Sequence, residues 1–286
     1  MSLEVVRPGP LTTVQDLGRP GHAHLGVPRS GALDEAAHRL AARLVGNPPE
    51  AACLESTLGG LALRAAAPLT AAVTGAFCPV GVDGRPAPWG APFRVPAGAL
   101  LELGRVTHGV RAYLAVAGGV AVDPVLGSRS TDLLSGLGPA PLAAGDALPV
   151  GPAPGPPALA DVVPWPGPPA ELVLPFHPGP RDDWFAPDAA RRLARAAYRV
   201  SPASNRIGLR TEGPPVERAG RGELASEGMV LGAIQVPPNG LPVVFLADHP
   251  TTGGYPVIGV VPEEALPAAA QAASGTPLRF VPLSGS

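Results

Sequence analysis

Short β-type segments, separated by glycine or proline about every ten residues, dominate positions 58–150. This interval favours a β-barrel or a β-sandwich over alternating β-α-β units. Asp83-Gly84 has the composition of a hairpin turn. The strands predicted in this part of the chain are 61–64, 69–74, 80–82, 93–95, 99–103 and 110–116. We therefore expect a mainly β fold with a few helices.

A proline-rich stretch in the middle of the chain predicts two β-rich subdomains. Positions 151–170 should form an extended, semi-rigid linker between an N-terminal β-barrel-like subdomain at 1–150 and a C-terminal one at 171–286. The first subdomain should contain a strand at 3–7 and a helix from its N-cap Asp34 to about Val45. In the second, the predicted strands are 171–175, 206–210, 230–236, 242–247 and 257–261, and the predicted helices are 187–198 and 262–273.

Charge and cysteine content exclude several classes of protein. The net charge is −2 at pH 7, and no basic patch indicates a nucleic acid or an anionic membrane as partner. No apolar run reaches the ~20 residues that cross a bilayer, and the first residues lack the pattern of a signal peptide. The two cysteines, Cys53 and Cys78, give neither a disulfide framework nor a metal-ligand spacing. We expect a cytoplasmic protein.

The chain contains no lysine, so the 21 residues in the combined count of lysine and arginine are all arginine. It therefore has no side chain for an internal Schiff base, for covalent biotin or for a Walker A loop. Recognition of an anion must come from arginine, backbone N–H groups or helix N-termini.

Two polar loops stand out in this apolar sequence. Positions 12–21 and 247–256 each combine a threonine pair, an aspartate and several glycine or proline residues. Glycine allows the backbone to approach a ligand closely, and hydroxyl, amide and carboxylate groups supply directional hydrogen bonds. We expect the chemistry of the protein in these loops.

An ordered series of motifs resembles the allophanate hydrolase subunit 2 family, which includes the C subunit of 5-oxoprolinase and part of the carboxyltransferase domain of urea carboxylase. The motifs lie at 8–21, 26–34, 44–47, 54–58, 74–76, 113–119, 126–131, 145–146, 204–208, 232–238 and 251–256. The resemblance implies a cyclophilin-like β-barrel architecture. It also implies a complex with the A subunit and the kinase-inhibitor-like B subunit of a 5-oxoprolinase, which hydrolyses 5-oxo-L-proline to L-glutamate and consumes ATP with Mg²⁺.

This resemblance suggests roles for the first polar loop. Asp16 and His22 are interpreted as catalytic groups and Arg19 as a carboxylate ligand, because opening a lactam needs a proton donor and an oxyanion stabiliser. Gln15 could bind the amide of the substrate. In the alternative interpretation, Asp16 caps a turn, Arg19 pairs with it, and Gln15 is solvated on a strand.

Further candidates lie later in the chain. Ser128 and Arg129 place a cation among hydroxyls, which suits a carboxylate or phosphate, although these hydroxyls could instead bond the nearby backbone. Asp248 is the third predicted catalytic group, and its loop could bind an anion or simply form a hairpin. The other predicted substrate- or anion-binding residues are Arg206, Thr251, Thr252, Gly253, Gly254 and Tyr255. Arg206 could instead pair with a carboxylate.

Histidine and tryptophan residues give weaker signals. His22 and His24 would share one face of a strand, but no ligand spacing accompanies them, so we predict surface imidazoles and no metal site. Trp89, Trp165 and Trp184 are expected to be core or interface anchors.

Two other functions are compatible with the sequence. The chain could be a carboxyltransferase subunit that receives carboxybiotin from a separate carrier protein, because it has no lysine of its own to carry biotin. It could also be a regulatory protein without catalytic activity that binds a kinase-inhibitor-like partner.

Overall fold

The computed structural model describes residues 1–157, 163, 167, 169–220 and 222–283, which form two compact units. The N-terminal unit comprises Met1–Arg19, Ser30–Asp132 and Gly136–Pro168. The C-terminal unit comprises Pro20–Arg29, Leu133–Ser135 and Pro169–Ser286. Much of the predicted linker, and Trp165 within it, lies outside the described residues, so the predicted domain boundaries stay predictions.

Two antiparallel sheets build the N-terminal unit. Their strands are β1 (Ser2–Pro8), β2 (Leu11–Gln15), β3 (Cys53–Thr57), β4 (Leu61–Ala65), β5 (Leu69–Phe77), β6 (Val80–Val82), β7 (Arg85–Ala87), β8 (Phe93–Val95), β9 (Leu100–Leu103), β10 (His108–Val116) and β11 (Ala147–Pro149). The order is β11-β1-β4-β9-β6-β7 in one sheet and β2-β3-β10-β5-β8 in the other. Asp83 and Gly84 join β6 to β7 with φ angles of 49° and 73°, which confirms the predicted hairpin.

One apolar core lies between these two sheets. Leu3, Leu63 and Leu101 of the six-stranded sheet belong to the same buried cluster as Val73 and Leu114 of the five-stranded sheet. Side chains alternate between the two faces of a strand, so the opposite face of the five-stranded sheet is free to carry polar groups.

Helix α1 (Glu35–Leu44), which the sequence predicts, covers part of that opposite face. The side chain of Asp34 caps it by accepting a hydrogen bond from Ala37 N at 3.0 Å. Ala37, Ala41 and Leu44 form the buried side of the helix. They pack in one cluster with residues of β3 and β10, including Cys53, Tyr113 and Ala115.

His38 is a buried polar contact of α1. Its Nε2 lies 3.1 Å from Pro49 O, to which it donates. Its Nδ1 therefore accepts from the thiol of Cys53, at 2.9 Å. Burial lowers the pKa of His38 and raises the pKa of the Cys53 thiol.

The neutral state of His38 should make stability fall in acid. The pKa of His38 in the folded protein lies below the ordinary value of 6.5. The contribution of neutral His38 to the free energy of unfolding is therefore fully present above pH 6.5, and it is lost as the pH falls through the folded-state pKa. For one proton, the slope reaches at most about 1.4 kcal/mol per pH unit. Urea denaturation between pH 7 and pH 5 should show this slope in the wild type and a smaller one in His38→Gln. The exposed His24→Gln is the control, and equal slopes in all three proteins would contradict the prediction.

A closed seven-stranded barrel forms the C-terminal unit. Its strands are β12 (Leu172–Pro178), β13 (Tyr198–Val200), β14 (Gly208–Glu212), β16 (Ala233–Gln235), β17 (Val243–Phe245), β19 (Val257–Val260) and β20 (Pro277–Pro282). They run in the order β12-β19-β16-β17-β14-β13-β20, and β15 (Glu227–Gly228) pairs with β18 (Thr252–Gly253) outside the barrel. A parallel pairing of β12 with β20 closes the barrel. The prediction of a mainly β fold with a barrel is confirmed.

The helices of this unit are shorter than predicted. The helix predicted at 187–198 is α2 (Ala189–Arg195), because Ala196 is extended and Tyr198 already pairs with Leu278 of β20. The helix predicted at 262–273 consists of a 3₁₀ turn at Glu263–Ala265 followed by α3 (Leu266–Ala270). No helix in the described ranges is long and apolar enough to cross a membrane.

Candidate functional site

The first polar loop is organised around the carboxylate of Asp16, which follows β2. Its Oδ1 accepts hydrogen bonds from Gly18 N at 2.8 Å and from the hydroxyls of Ser128 and Ser130, each at 2.6 Å. Its Oδ2 accepts from Arg129 N at 2.6 Å. The residue is only 6% exposed. Asp16 therefore ties the segment at 128–130 to the end of β2, as in the turn-capping interpretation.

A tight turn presents these donors to Asp16. Val125 and Ser128 exchange backbone hydrogen bonds across Leu126 and Gly127, whose φ angles are 51° and 80°. Two consecutive positive φ angles are typical of a type I′ turn, and glycine accepts the second without strain. The turn directs Ser128 and the following residues back toward β2.

Arg129 is held by its backbone and by one side-chain contact. Its N–H binds Asp16, and its Nε donates to Val122 O at 2.7 Å. Within the described ranges, its two terminal amino groups form no hydrogen bond or ion pair. The half-buried guanidinium is thus oriented and still has donors for a carboxylate.

The contacts of Arg19 differ from the pairing with Asp16 that the turn-capping interpretation expects, while its role as a carboxylate ligand stays a prediction. Arg19 is almost fully buried, and its side chain donates to the backbone carbonyls of Val125, at 3.3 Å, and of Ser130. These contacts hold the backbone of the turn, whereas the carboxylate of Asp16 is taken by Gly18 and the 128–130 segment.

Gln15 is buried and is not solvated on a strand surface. Its Nε2 donates to Thr13 Oγ1 and to Thr131 O, both at 3.0 Å. In the part of the chain that the structure describes, Gln15 Oε1 and Thr131 Oγ1 are buried and have no hydrogen-bond partner. Such atoms are costly unless a ligand or an ordered water satisfies them.

A buried carboxylate that the sequence did not reveal lies in the neighbouring strand. Glu55 Oε2 accepts from Tyr113 OH at 2.7 Å and from Leu33 N at 3.1 Å, while Tyr113 OH accepts from Asp34 N at 2.8 Å. Arg111 Nε lies 3.7 Å from Glu55 Oε1. Burial, and then the charge of Glu55, raise the pKa of Tyr113. This network fixes the segment that enters α1.

Arg206 and Asp248 form a buried ion pair in the C-terminal unit. Arg206 Nε lies 2.9 Å from Asp248 Oδ2, and Arg206 Nη2 lies 2.9 Å from Asp248 Oδ1. Leu133 N also donates to Oδ2 at 3.1 Å. The two side chains are 1% and 0% exposed. The geometry matches the interpretation in which Arg206 pairs with a carboxylate.

Later residues of the second polar loop, at 251–255, are half-buried or exposed. Thr252 and Gly253 form β18, and Thr251 O accepts from Met229 N at 2.9 Å. A side chain at Gly253 would place its Cβ 2.7 Å from Gln235 Nε2, so the side chain of Gln235 would have to move. Tyr255 is 42% exposed.

His22 and His24 do not lie on a strand, contrary to the expectation. His22 directly precedes a 3₁₀ turn at Ala23–Leu25, and His24 is the middle residue of that turn. This segment belongs to the C-terminal unit. His24 Nδ1 lies 3.1 Å from Gly21 O. Among the described residues, no three His, Cys, Asp or Glu side chains are placed to hold a metal ion.

A cleft of about 790 Å³ opens in the C-terminal unit. Two of the predicted residues, Gly254 and Tyr255, line it together with Trp184, Arg218 and Glu223. Nothing in the sequence distinguishes Arg218 or Glu223 from other charged residues, and Trp184 is predicted there only as a core or interface anchor.

Fold and motifs together define a carboxyltransferase-type protein. Residues 25–282 match the family described as carboxyltransferase domain, subdomain A and B, and the chain belongs to this family. Over 288 residues it is 40% identical to the C subunit of 5-oxoprolinase from Escherichia coli (strain K12), covering 99% of this chain and 91% of that protein. The resemblance drawn from the motifs is thereby confirmed.

Solved structures have the same fold. A crystal structure of TTHA0988 matches with a TM-score of 0.88 and 40% identity, over 98% of this chain and 55% of that one. The Kluyveromyces lactis urea amidolyase matches with a TM-score of 0.87 and 31% identity, over 99% of this chain and 19% of that one. The chain thus spans about half of the first structure and a much smaller share of the second.

Proposed function

We propose that this chain is a subunit of an ATP-dependent 5-oxoprolinase, which opens the lactam of 5-oxo-L-proline to give L-glutamate. The observation that carries the proposal is the match to the Escherichia coli C subunit, which extends over nearly the whole of both chains. We further propose that the chain acts only with an A subunit and a kinase-inhibitor-like B subunit. The relative is itself named as one subunit of an enzyme, which supports an assembly.

The reaction adds water across one amide bond. The lactam C–N bond breaks, the carbonyl carbon becomes the side-chain carboxylate of glutamate, and the ring nitrogen becomes the amine. The substrate carries a carboxylate that must be held, and its carbonyl oxygen becomes negative in the transition state. A subunit of such an enzyme therefore needs fixed cationic or N–H donors.

In our proposal Arg129 supplies the carboxylate contact. Its Nε is engaged by Val122 O and its N–H by Asp16, so the guanidinium is oriented before a ligand arrives. Asp16 is then a positioning residue whose oxygens are taken up by the turn. Gln15 supports the same segment, because its Nε2 donates to Thr131 O next to the turn.

ATP with Mg²⁺ acts at the level of the complex in this proposal. The sequence has no lysine for a Walker A loop, which supports binding of ATP elsewhere in the assembly. We also propose a cytoplasmic location, which the two free, buried cysteines support.

Co-expression with candidate A and B subunits tests the function. The purified assembly should hydrolyse ATP faster with 5-oxo-L-proline than without it, and L-glutamate should accumulate in proportion. An assembly that binds tightly but shows no stimulation, beside an active control 5-oxoprolinase, would refute the proposal.

Arg129→Ala should raise the KM for 5-oxo-L-proline by about tenfold or more, because a charge-assisted hydrogen bond to a carboxylate is worth roughly 1.5–3 kcal/mol. Arg129→Lys should restore only part of the lost affinity, since lysine lacks the planar guanidinium that donates two parallel hydrogen bonds to a carboxylate. Steady-state ATP hydrolysis by the assembly measures both variants. The exposed Arg85→Ala is the matched control, and an unchanged KM in Arg129→Ala would remove Arg129 from the site.

Carboxyl transfer from a separate biotin carrier is the alternative function. It is favoured by the structural match to the Kluyveromyces lactis urea amidolyase. Incubation of the assembly with a carboxylated biotin carrier protein distinguishes the two. Loss of carboxylate from the carrier that depends on this chain, without any stimulation by 5-oxo-L-proline, would favour the alternative.

A further inference from the structure

Among the described residues that line the cleft of the C-terminal unit, one is a cation and one is an anion, and the two do not pair. Arg218 and Glu223 both contribute to its wall. In the described ranges, neither side chain forms a hydrogen bond or an ion pair, with the other or with any third group. Arg218 is half-buried and Glu223 is exposed, so the cation in particular can be completed by a ligand in the cleft.

Two other arginines near this part of the unit are paired. Arg181 Nε lies 2.9 Å from Glu227 Oε2, and Arg192 Nε lies 2.7 Å from Asp188 Oδ2. Arg218 is half-buried, whereas Arg192 has a largely exposed side chain. A half-buried arginine without a carboxylate partner is the more costly arrangement, and it is expected where an anionic ligand completes the site.

Two aromatic rings complete the wall. Trp184 is half-buried, and its backbone is fixed by hydrogen bonds with Arg181 and Ala219 at 3.1 and 2.8 Å. Tyr255 is anchored by its carbonyl, which accepts from Gln235 Nε2 at 3.3 Å, while much of its side chain stays accessible. Aromatic faces attract ammonium groups and cover the apolar part of a small ligand.

We propose that this cleft binds a free α-amino acid in its zwitterionic form. The carboxylate binds Arg218, and the ammonium group lies toward Glu223 and the aromatic rings. Its volume of about 790 Å³ is within the range of small-molecule sites. This inference rests on the proposed function for the identity of the occupant, which is L-glutamate. The lactam substrate has no ammonium group and cannot use Glu223 in this way.

Calorimetric titration of the chain tests the site. The probes are L-glutamate, glutarate (which lacks the ammonium group) and 5-oxo-L-proline, each added to the wild type, Arg218→Gln and Glu223→Gln. Arg195→Gln, an exposed arginine on α2, is the matched control. We expect saturable binding of L-glutamate that weakens about tenfold or more in Arg218→Gln and Glu223→Gln and is unchanged in the control. Glutarate should bind the wild type about tenfold more weakly, and Glu223→Gln should not weaken it further.

Three results would overturn the inference: no binding of L-glutamate, binding that both cleft variants leave intact, or equal affinity for glutarate and L-glutamate. Stimulation of ATP hydrolysis by 5-oxo-L-proline is measured separately on the assembly. Stimulation without binding of L-glutamate refutes only the amino-acid site. Binding of L-glutamate without stimulation refutes only the proposed function.

Discussion

Asp248→Ala is expected to lower the free energy of unfolding by about 3–5 kcal/mol, because it leaves the guanidinium of Arg206 buried without its carboxylate. The pair is bidentate and almost fully buried, so water cannot replace the lost oxygen atoms. Urea denaturation of the purified chain measures the loss.

A surface pair of the same chemistry provides the control. Asp188 pairs with Arg192 on α2, where the arginine side chain is 63% exposed. Asp188→Ala should change stability little, since solvent screens exposed ion pairs. Replacing both buried partners, as Arg206→Met with Asp248→Leu, should recover much of the stability lost in Asp248→Ala. If Asp248→Ala costs no more than Asp188→Ala, the buried pair does not stabilise the unit in this way.

Asp16→Ala should have the second large effect, on both stability and activity. It removes a carboxylate that accepts four hydrogen bonds from the turn and its neighbours, and unpaired buried donors cost on the order of 1–3 kcal/mol each. Because the same turn positions Arg129, kcat/KM for 5-oxo-L-proline should fall by about as much as in Arg129→Ala, tenfold or more. Exposed Asp123→Ala is the control.

The milder Asp16→Asn separates positioning from proton transfer. As a positioning residue, Asp16 should affect mainly KM, and Asp16→Asn combined with Arg129→Ala should be little worse than Arg129→Ala alone. A catalytic Asp16, as the family resemblance suggested, would instead lower kcat and remove one limb of the pH–rate profile. Kinetics of the assembly from pH 5 to pH 9 decide between these roles.

Local signals in the sequence predicted much of the fold. Asp34 followed by an apolar stripe predicted α1, and Asp83-Gly84 predicted a hairpin, because capping and turn geometry depend on neighbouring residues. The strand β3 was missed because its centre is Glu55-Ser56, which looks solvated. That glutamate is buried among partners that are distant in sequence, such as Tyr113, which lies 58 residues away along the chain and donates to it.

The candidate site was harder to predict for the same reason. The resemblance to a family singled out Asp16, Arg129, Arg206 and Asp248, but not which of them pair. Arg206 and Asp248 lie 42 residues apart, and Asp16 and Arg129 lie 113 apart. Such contacts depend on how the strands are ordered, which residue spacing does not encode. The cleft residue Arg218 has no distinctive neighbours in the sequence at all.

The way the barrel closes has a consequence for its synthesis. Its first strand, β12, pairs in parallel with its last, β20, with Leu174 opposite Phe280. During translation, β12 leaves the ribosome long before its neighbour on that side exists, so one of its edges stays open until the end of the unit has been made. Contacts between such distant segments form slowly. The N-terminal unit can pair its main sheets earlier, and a nascent chain arrested before β20 should present an unpaired strand edge to chaperones or to other copies of itself.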